Sequence, residues 1–119
     1  SVDEDPAGAW RILGDQLRAL LDDPVAAARH VTAGPMGEMT LADAIDRLVT
    51  GDVHIHTWDV ARACRLDKTL DAEVTADMLA GMAPMDAALR ASGHFGPKVD
   101  VPADAPVQDR LLAFVGRRP

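Results

Sequence analysis

The stretch from Leu41 to Cys64 reads LADAIDRLVTGDVHIHTWDVARAC, and it decides the fold of this chain. Its apolar residues recur at steps of three and four, which is the spacing of one face of a helix. These residues are Leu41, Ile45, Leu48, Ile55, Val60 and Ala63. Asp52 and His56 continue the same stripe. The pattern therefore predicts a long amphipathic helix whose core-facing side carries a carboxylate and an imidazole one turn apart.

This polar pair is the candidate functional site. A polar group on the buried side of a helix is costly unless it is paired or bound to a metal ion. The Asp-x3-His spacing allows both side chains to reach a single ion. Two interpretations follow: Asp52 and His56 are metal ligands, or they form a structural pair bonded to each other at positions i and i+4.

Two neighbours of the pair also carry polar side chains. Asp59 follows His56 by three residues, so it either orients the imidazole as a hydrogen-bond acceptor or forms an ion pair with Arg62. His54 lies roughly on the opposite side of the helix, and we expect it at the surface or at an interface. Trp58 and Trp10 are both expected to be packing residues.

The rest of the chain predicts an all-α fold of three main helices plus a short C-terminal helix, in a single helical domain over residues 1–119. The composition is rich in alanine and poor in aromatic residues, which favours close-packed helices. Thr40 is expected to cap the long helix. The other predicted helices are residues 6–22 after an Asp5 N-cap, a helix capped by Asp71 that Pro84 bends or divides, and Val107–Val115. Residues 29–39 are expected to form a loop with an extended piece at His30–Thr32. Residues 92–106 are expected to form a second loop that includes a short extended pair around Val99–Val101.

Composition excludes several classes of function. The net charge of −7 argues against a non-specific nucleic-acid-binding protein. No apolar run approaches the roughly 20 residues that a membrane span needs. Cys64 is the only cysteine, so an internal disulfide is impossible, and we expect its side chain to be buried. The acidic N-terminus lacks a signal-peptide pattern, which predicts a cytoplasmic protein. Arg117 and Arg118 are expected to form a solvated tail, and Arg110 to cap or anchor the last helix.

Residues 51–63, GDVHIHTWDVARA, resemble a known family. They are similar to the actinobacterial metal-binding proteins related to mycothiol-dependent maleylpyruvate isomerase, in the DinB-like superfamily. In that family a helix carries an acidic residue, three intervening positions, a histidine and then Trp-Asp-Leu-Ala-Arg-Ala. Asp52, His56 and residues 58–63 match this pattern. The segments 95–97, 99–101, 105–114 and 116–117 resemble the C-terminal pattern of the same family.

The resemblance implies a DinB-like four-helix bundle and a divalent ion held by three side chains. Two of these ligands correspond to Asp52 and His56, and the third is a histidine of the family's first helix. Zinc is the expected metal, with nickel or iron as alternatives. The implied activity is that of a metal- and thiol-dependent transferase or isomerase. In it, a small thiol such as mycothiol, bound as a thiolate, attacks an electrophilic substrate.

The family's first helix has no counterpart upstream of Ser1, so the chain corresponds to about the C-terminal two thirds of such a protein. A complete three-ligand site cannot be assembled from the matching positions. The alternative function is a non-catalytic binding or structural module with an incomplete metal site. The same comparison predicts a homodimer, in which a second copy covers the apolar face that the missing helix would cover.

Overall fold

The computed structural model describes residues 2–119, and it is mostly helical, which confirms the predicted all-α class. These residues fall into two compact units, one ending at Thr50 and the other spanning Gly51–Pro119. None of the described helices combines the length and the apolar character needed to cross a membrane.

The first unit contains one long helix, several short helical segments and a small hairpin. Its elements are α1 (Pro6–Asp22), α2 (Pro24–Ala27), strand β1 (His30–Thr32), a 3₁₀ turn (Gly34–Met36), strand β2 (Glu38–Thr40), α3 (Leu41–Ala44) and a π-helical segment (Ile45–Thr50). The predicted N-cap of α1 is confirmed, because the Asp5 carboxylate accepts a hydrogen bond from the Gly8 amide at 2.8 Å. Thr40 caps α3 in the same way, accepting from the Asp43 amide at 3.1 Å.

The loop between α2 and α3 is more ordered than its sequence indicated. The extended piece at His30–Thr32 is confirmed, and it pairs antiparallel with β2, with Val31 opposite Met39. Gly34 and Gly37 have φ values of 55° and 78°. Glycine adopts this left-handed backbone without the steric cost of a Cβ atom, so the two glycines allow the tight connection that aligns the strands.

The backbone is helical from Leu41 to Cys64, as predicted, but residues Ile45–Thr50 are π-helical. The π-helix has a wider turn than the α-helix, so a face extrapolated at 3.6 residues per turn goes out of phase beyond it. In α4 (Gly51–Cys64) the buried residues are Gly51, Ile55, Trp58 and Ala61. Val60 is 60% exposed and Leu48 is 48% exposed. The predicted core-facing stripe is therefore confirmed only in part: Ile45 and Ile55 are buried, while Leu48 and Val60 are exposed.

The second unit consists of four helices and two long loops. After α4 come α5 (Ala72–Met82), a 3₁₀ turn (Ala83–Met85), α6 (Asp86–Ala91) and α7 (Val107–Phe114). Asp71 caps α5 as predicted, accepting from the amides of Glu73 and Val74. Pro84 lies in the 3₁₀ turn, so the predicted division of this helix is also confirmed. The extended pair expected near Val99 is not formed.

The core of this unit is organised around α7. Leu111 is completely buried and packs with Ile55, Phe114 and Val115, while Met78 and Leu79 border this cluster. Leu112 is also completely buried, in a second cluster with Trp58 and Leu70. Consecutive residues on α7 therefore face two different clusters. A helix that is buried on more than one side in this way has apolar side chains around most of its circumference.

Two glycines of this unit predict opposite effects of alanine substitution. Gly116 has a φ of 86°, and a Cβ atom there would lie 3.2 Å from the Pro97 carbonyl oxygen. Gly81 lies within α5, where an added Cβ meets nothing within 4 Å. We expect Gly116→Ala to lower the free energy of unfolding by about 1–2 kcal/mol and Gly81→Ala to raise it by about 0.5–1 kcal/mol. Urea denaturation measures both, and changes of the same sign would contradict the assigned backbone conformations.

Candidate functional site

Asp52 and His56 lie one turn apart on α4, on the same side of the helix. Asp52 Oδ1 is 3.9 Å from His56 Nε2, and the two side chains are 77% and 57% exposed respectively. The expected core-facing orientation is therefore wrong, because the π-helical segment before α4 rotates the following helix faces away from an ideal α-helical phase. The distance is longer than a hydrogen bond, so the two side chains are not hydrogen-bonded to each other.

The other nitrogen of the His56 ring is held by Asp59. His56 Nδ1 lies 2.9 Å from Asp59 Oδ2, which confirms that Asp59 orients the imidazole. An ionised carboxylate only accepts hydrogen bonds, so Nδ1 carries the hydrogen. In the neutral ring, Nε2 is then left with a free lone pair on the side where Asp52 lies.

Arg117 fixes Asp59 in turn. Its Nη2 atom lies 2.7 Å from Asp59 Oδ2 and its Nε atom lies 3.2 Å from Asp59 Oδ1, a two-point contact between guanidinium and carboxylate. The hydrogen bond from Arg117 is the main cause that lowers the pKa of Asp59, with a smaller contribution from His56. Asp59 therefore stays ionised well into the acidic range, which preserves its role as an acceptor for His56.

Arg117 is a residue of this site that the sequence did not predict, because two arginines at the end of the chain are typical of a solvated tail. The chain turns back after α7 through a Schellman motif, in which the Gly116 amide donates to Ala113 O at 3.1 Å and the Arg117 amide to Leu112 O at 2.8 Å. This turn places the Arg117 side chain beside α4. A glycine directly after an apolar helix pattern is the signal that could have predicted the turn.

The alternative ion pair between Asp59 and Arg62 is not formed. Arg62 donates instead to the Arg118 carbonyl at 2.6 Å, and its guanidinium lies 5.0 Å from the centre of the Trp58 ring. Arg118 is therefore tied back through its main chain. Trp58 is 1% exposed, which confirms the expectation that it packs in the core.

His54 is half-buried rather than at the surface. Its Nε2 atom lies 3.0 Å from Thr75 Oγ1, and the Thr75 hydroxyl donates to the Asp71 carbonyl at 2.5 Å. Because the Thr75 hydroxyl already donates its hydrogen to Asp71, the Thr75 oxygen accepts a hydrogen bond from His54 Nε2–H. Burial lowers the pKa of His54, and the opposing effect of Asp71 is smaller. His54 therefore joins α4 to α5 as a neutral ring and is not part of the Asp52–His56 site.

The remaining candidate side chains do not complete the site. Cys64 is exposed, in contrast to the expected buried position. Within the part of the chain that the structure describes, no group of three or more His, Cys, Asp or Glu side chains is arranged to hold a metal ion. Asp52 and His56 thus form a two-donor site, supported by Asp59 and Arg117.

Neither the family models, nor the curated proteins, nor the solved structures give a significant match to the chain. The fold and the site together define a mostly helical protein in which one helix presents an Asp–His pair to solvent. The carboxylate and guanidinium behind the histidine are the features from which its function has to be inferred.

Proposed function

We propose that Asp52 and His56 are ligands of a divalent metal ion, in a DinB-like helical protein related to mycothiol-dependent transferases and isomerases. The observation that supports this most directly is the 2.9 Å contact between His56 Nδ1 and Asp59 Oδ2. Metal-binding histidines nearly always donate their second ring N–H to a carboxylate, carbonyl or water, which leaves the other nitrogen free to coordinate. Asp52 lies on the side of the free nitrogen.

The two donor atoms fit such an ion after a small adjustment. Ligands of a tetrahedral zinc ion, each about 2.0–2.1 Å from the metal, are roughly 3.3 Å apart. The 3.9 Å between Asp52 Oδ1 and His56 Nε2 is close to this value, and the exposed Asp52 side chain is free to rotate. Imidazole and carboxylate suit zinc first, with nickel or iron as alternatives. A third ligand has to come from outside residues 2–119 of one copy.

The chemistry that such an ion supplies, when bound with an open position, is a lowered pKa for a coordinated thiol or water. For a small thiol such as mycothiol this yields the thiolate, which is the nucleophilic form, at neutral pH. The chain's own contribution is to hold and orient: Asp52 and His56 bind, Asp59 fixes the His56 ring, and Arg117 keeps Asp59 ionised. The proposed substrate is an electrophilic small molecule.

Calorimetric titration with Zn²⁺ tests the proposal. We expect binding by the wild-type chain and its loss in His56→Ala. Asp59→Ala should weaken the affinity by about 10- to 100-fold, because the imidazole loses its orienting acceptor. His94→Ala, which removes an exposed histidine elsewhere, should bind like the wild type and is the matched control. Binding that is unchanged in His56→Ala would rule out this site.

A second candidate function is a non-catalytic dimeric helical module, and the surface of α1 favours it. Large apolar side chains of this helix are exposed, although sequence reasoning expected Trp10 to pack. The exposed fractions are 61% for Trp10, 61% for Ile12, 47% for Leu13, 38% for Leu20 and 42% for Leu21. Apolar side chains grouped in this way commonly mark an interaction surface, and a second copy of the chain is the proposed partner.

Two measurements separate the candidates. If the protein is a dimeric module, sedimentation at micromolar concentration should show a dimer both with and without Zn²⁺. The His56→Ala variant should also be a dimer. A well-folded monomer would contradict the dimeric module. For the enzyme, thiol consumption with an electrophilic acceptor should depend on added Zn²⁺ and on His56. A rate that is the same with and without metal would favour the module.

A further inference from the structure

A groove in the second unit lies away from every residue discussed so far as a metal ligand. It runs between α5, α7 and the segment 98–103, and its volume is about 360 Å³. Its apolar walls are formed by Leu79, Ala83, Val99, Val101, Ala113 and Phe114. The groove is largely open to solvent, so it would contact one side of a small molecule rather than enclose it.

One side of the groove is formed by the segment 98–103. The Val99 amide donates to the Ala113 carbonyl at 3.0 Å, which ties the segment to α7. Lys98 Nζ lies 2.6 Å from Asp86 Oδ2 and 4.8 Å from the centre of the Phe114 ring. The Lys98 charge is therefore matched within the protein.

Arg110 is a positively charged residue of the groove whose guanidinium has no partner in the described part of the chain. It lines the groove from α7, and its side chain is exposed. No other described side chain or carbonyl lies within hydrogen-bond or ion-pair distance of its guanidinium, so the expected anchoring of the last helix by Arg110 is wrong. A guanidinium offers a planar pair of donors that matches a carboxylate. The guanidinium groups of Arg90 and Arg117, by contrast, are hydrogen-bonded to carboxylates within the protein.

We infer that this groove binds a small apolar monocarboxylate, with the apolar part between Leu79 and Phe114 and the carboxylate on Arg110. Asp100 also lines the groove, and its negative charge disfavours a second carboxylate on the ligand. The Asp100 carboxylate can also accept a hydrogen bond from a hydroxyl group of the ligand. The chemical class is therefore an alkyl or aryl monocarboxylate, with or without a hydroxyl group.

A matched series of three probes tests this inference on the full chain. The probes are 4-phenylbutyrate, 4-phenylbutanol and 4-phenylbutylamine, which share one apolar body and differ in charge. Binding is followed by changes in the backbone NMR signals of Val99 and Ala113. We expect the carboxylate to bind at least about tenfold more tightly than the alcohol, since it gains a charge-assisted contact, and the amine to bind weakest.

Two variants locate the effect. Arg110→Gln should remove the preference for the carboxylate over the alcohol, while Arg65→Gln, at an exposed arginine outside the groove, should leave it unchanged. Ala83→Phe fills the groove and should abolish binding of all three probes. The inference is overturned if the amine binds best or if Arg110→Gln keeps the preference for the carboxylate. It is also overturned if the Kd of every probe is above 10 mM (roughly the limit of useful affinity).

Discussion

Replacing Arg90 with methionine is expected to lower the free energy of unfolding by about 3 kcal/mol, because one side chain holds three parts of the second unit together. The Arg90 guanidinium donates to the Gly96 carbonyl, to the Phe114 carbonyl and to Asp86 Oδ1. It also lies 5.8 Å and 5.1 Å from the centres of the Phe95 and Phe114 rings. Methionine keeps the apolar stem but removes every donor.

The Phe114 carbonyl explains why this loss is large. It belongs to the last turn of α7, where main-chain carbonyls have no partner within the helix. Arg90 satisfies one of them with a charged donor, which also interacts favourably with the negative end of the helix dipole. Without Arg90 this half-buried oxygen is left unpaired, and leaving a buried acceptor unpaired costs about 1–3 kcal/mol by itself.

Urea denaturation of three variants checks the prediction for Arg90. Arg90→Lys keeps the charge, but its single ammonium group cannot reproduce the planar set of donors, so we expect it to restore less than half of the lost stability. Arg65→Met, at an exposed position, is the control and should change little. An Arg90→Met chain as stable as the wild type would show that the three contacts are not formed together in solution.

Leu112→Ala is expected to cost about 2–5 kcal/mol, the range measured when a large aliphatic side chain is removed from a protein core. Leu112 is completely buried and packs with Trp58 and Leu70. The cavity should collapse only partly, because Trp58 is rigid and is also flanked by Arg62. Leu112→Met conserves volume and should cost less than about 1.5 kcal/mol. Thermal and urea unfolding measure both, and a small effect of Leu112→Ala would contradict the assigned core.

The features that sequence predicted well are those set by neighbouring residues. Asp5, Thr40 and Asp71 cap their helices because each side chain needs only an amide two or three residues away. Pro84 divides a helix because its ring is incompatible with the helix interior. The contact between His56 and Asp59 belongs to the same group, since residues three apart on a helix are neighbours.

The features that sequence did not predict depend on distant residues or on local departures from the ideal helix. The π-helical segment shifted the faces of α4, so Asp52 and His56 were expected inside and are found at the surface. Arg117 meets Asp59 across 58 positions of sequence, a contact that no local pattern encodes. The apolar pattern of Trp10 indicates a side chain suited to burial but not what would bury it. Metal binding at Asp52 and His56 stays a prediction.

The side chain of Gln108 acts as a substitute for a piece of main chain. Its Oε1 atom accepts from the Leu70 amide at 2.8 Å, and its Nε2 atom donates to the Lys68 carbonyl at 3.2 Å. An amide that both accepts and donates along an extended segment reproduces the pairing of a neighbouring β-strand, so the α4–α5 connection is paired like a sheet edge although it faces a helix. Deamidation at this single position would therefore interrupt a ladder, because a carboxylate cannot supply the donor.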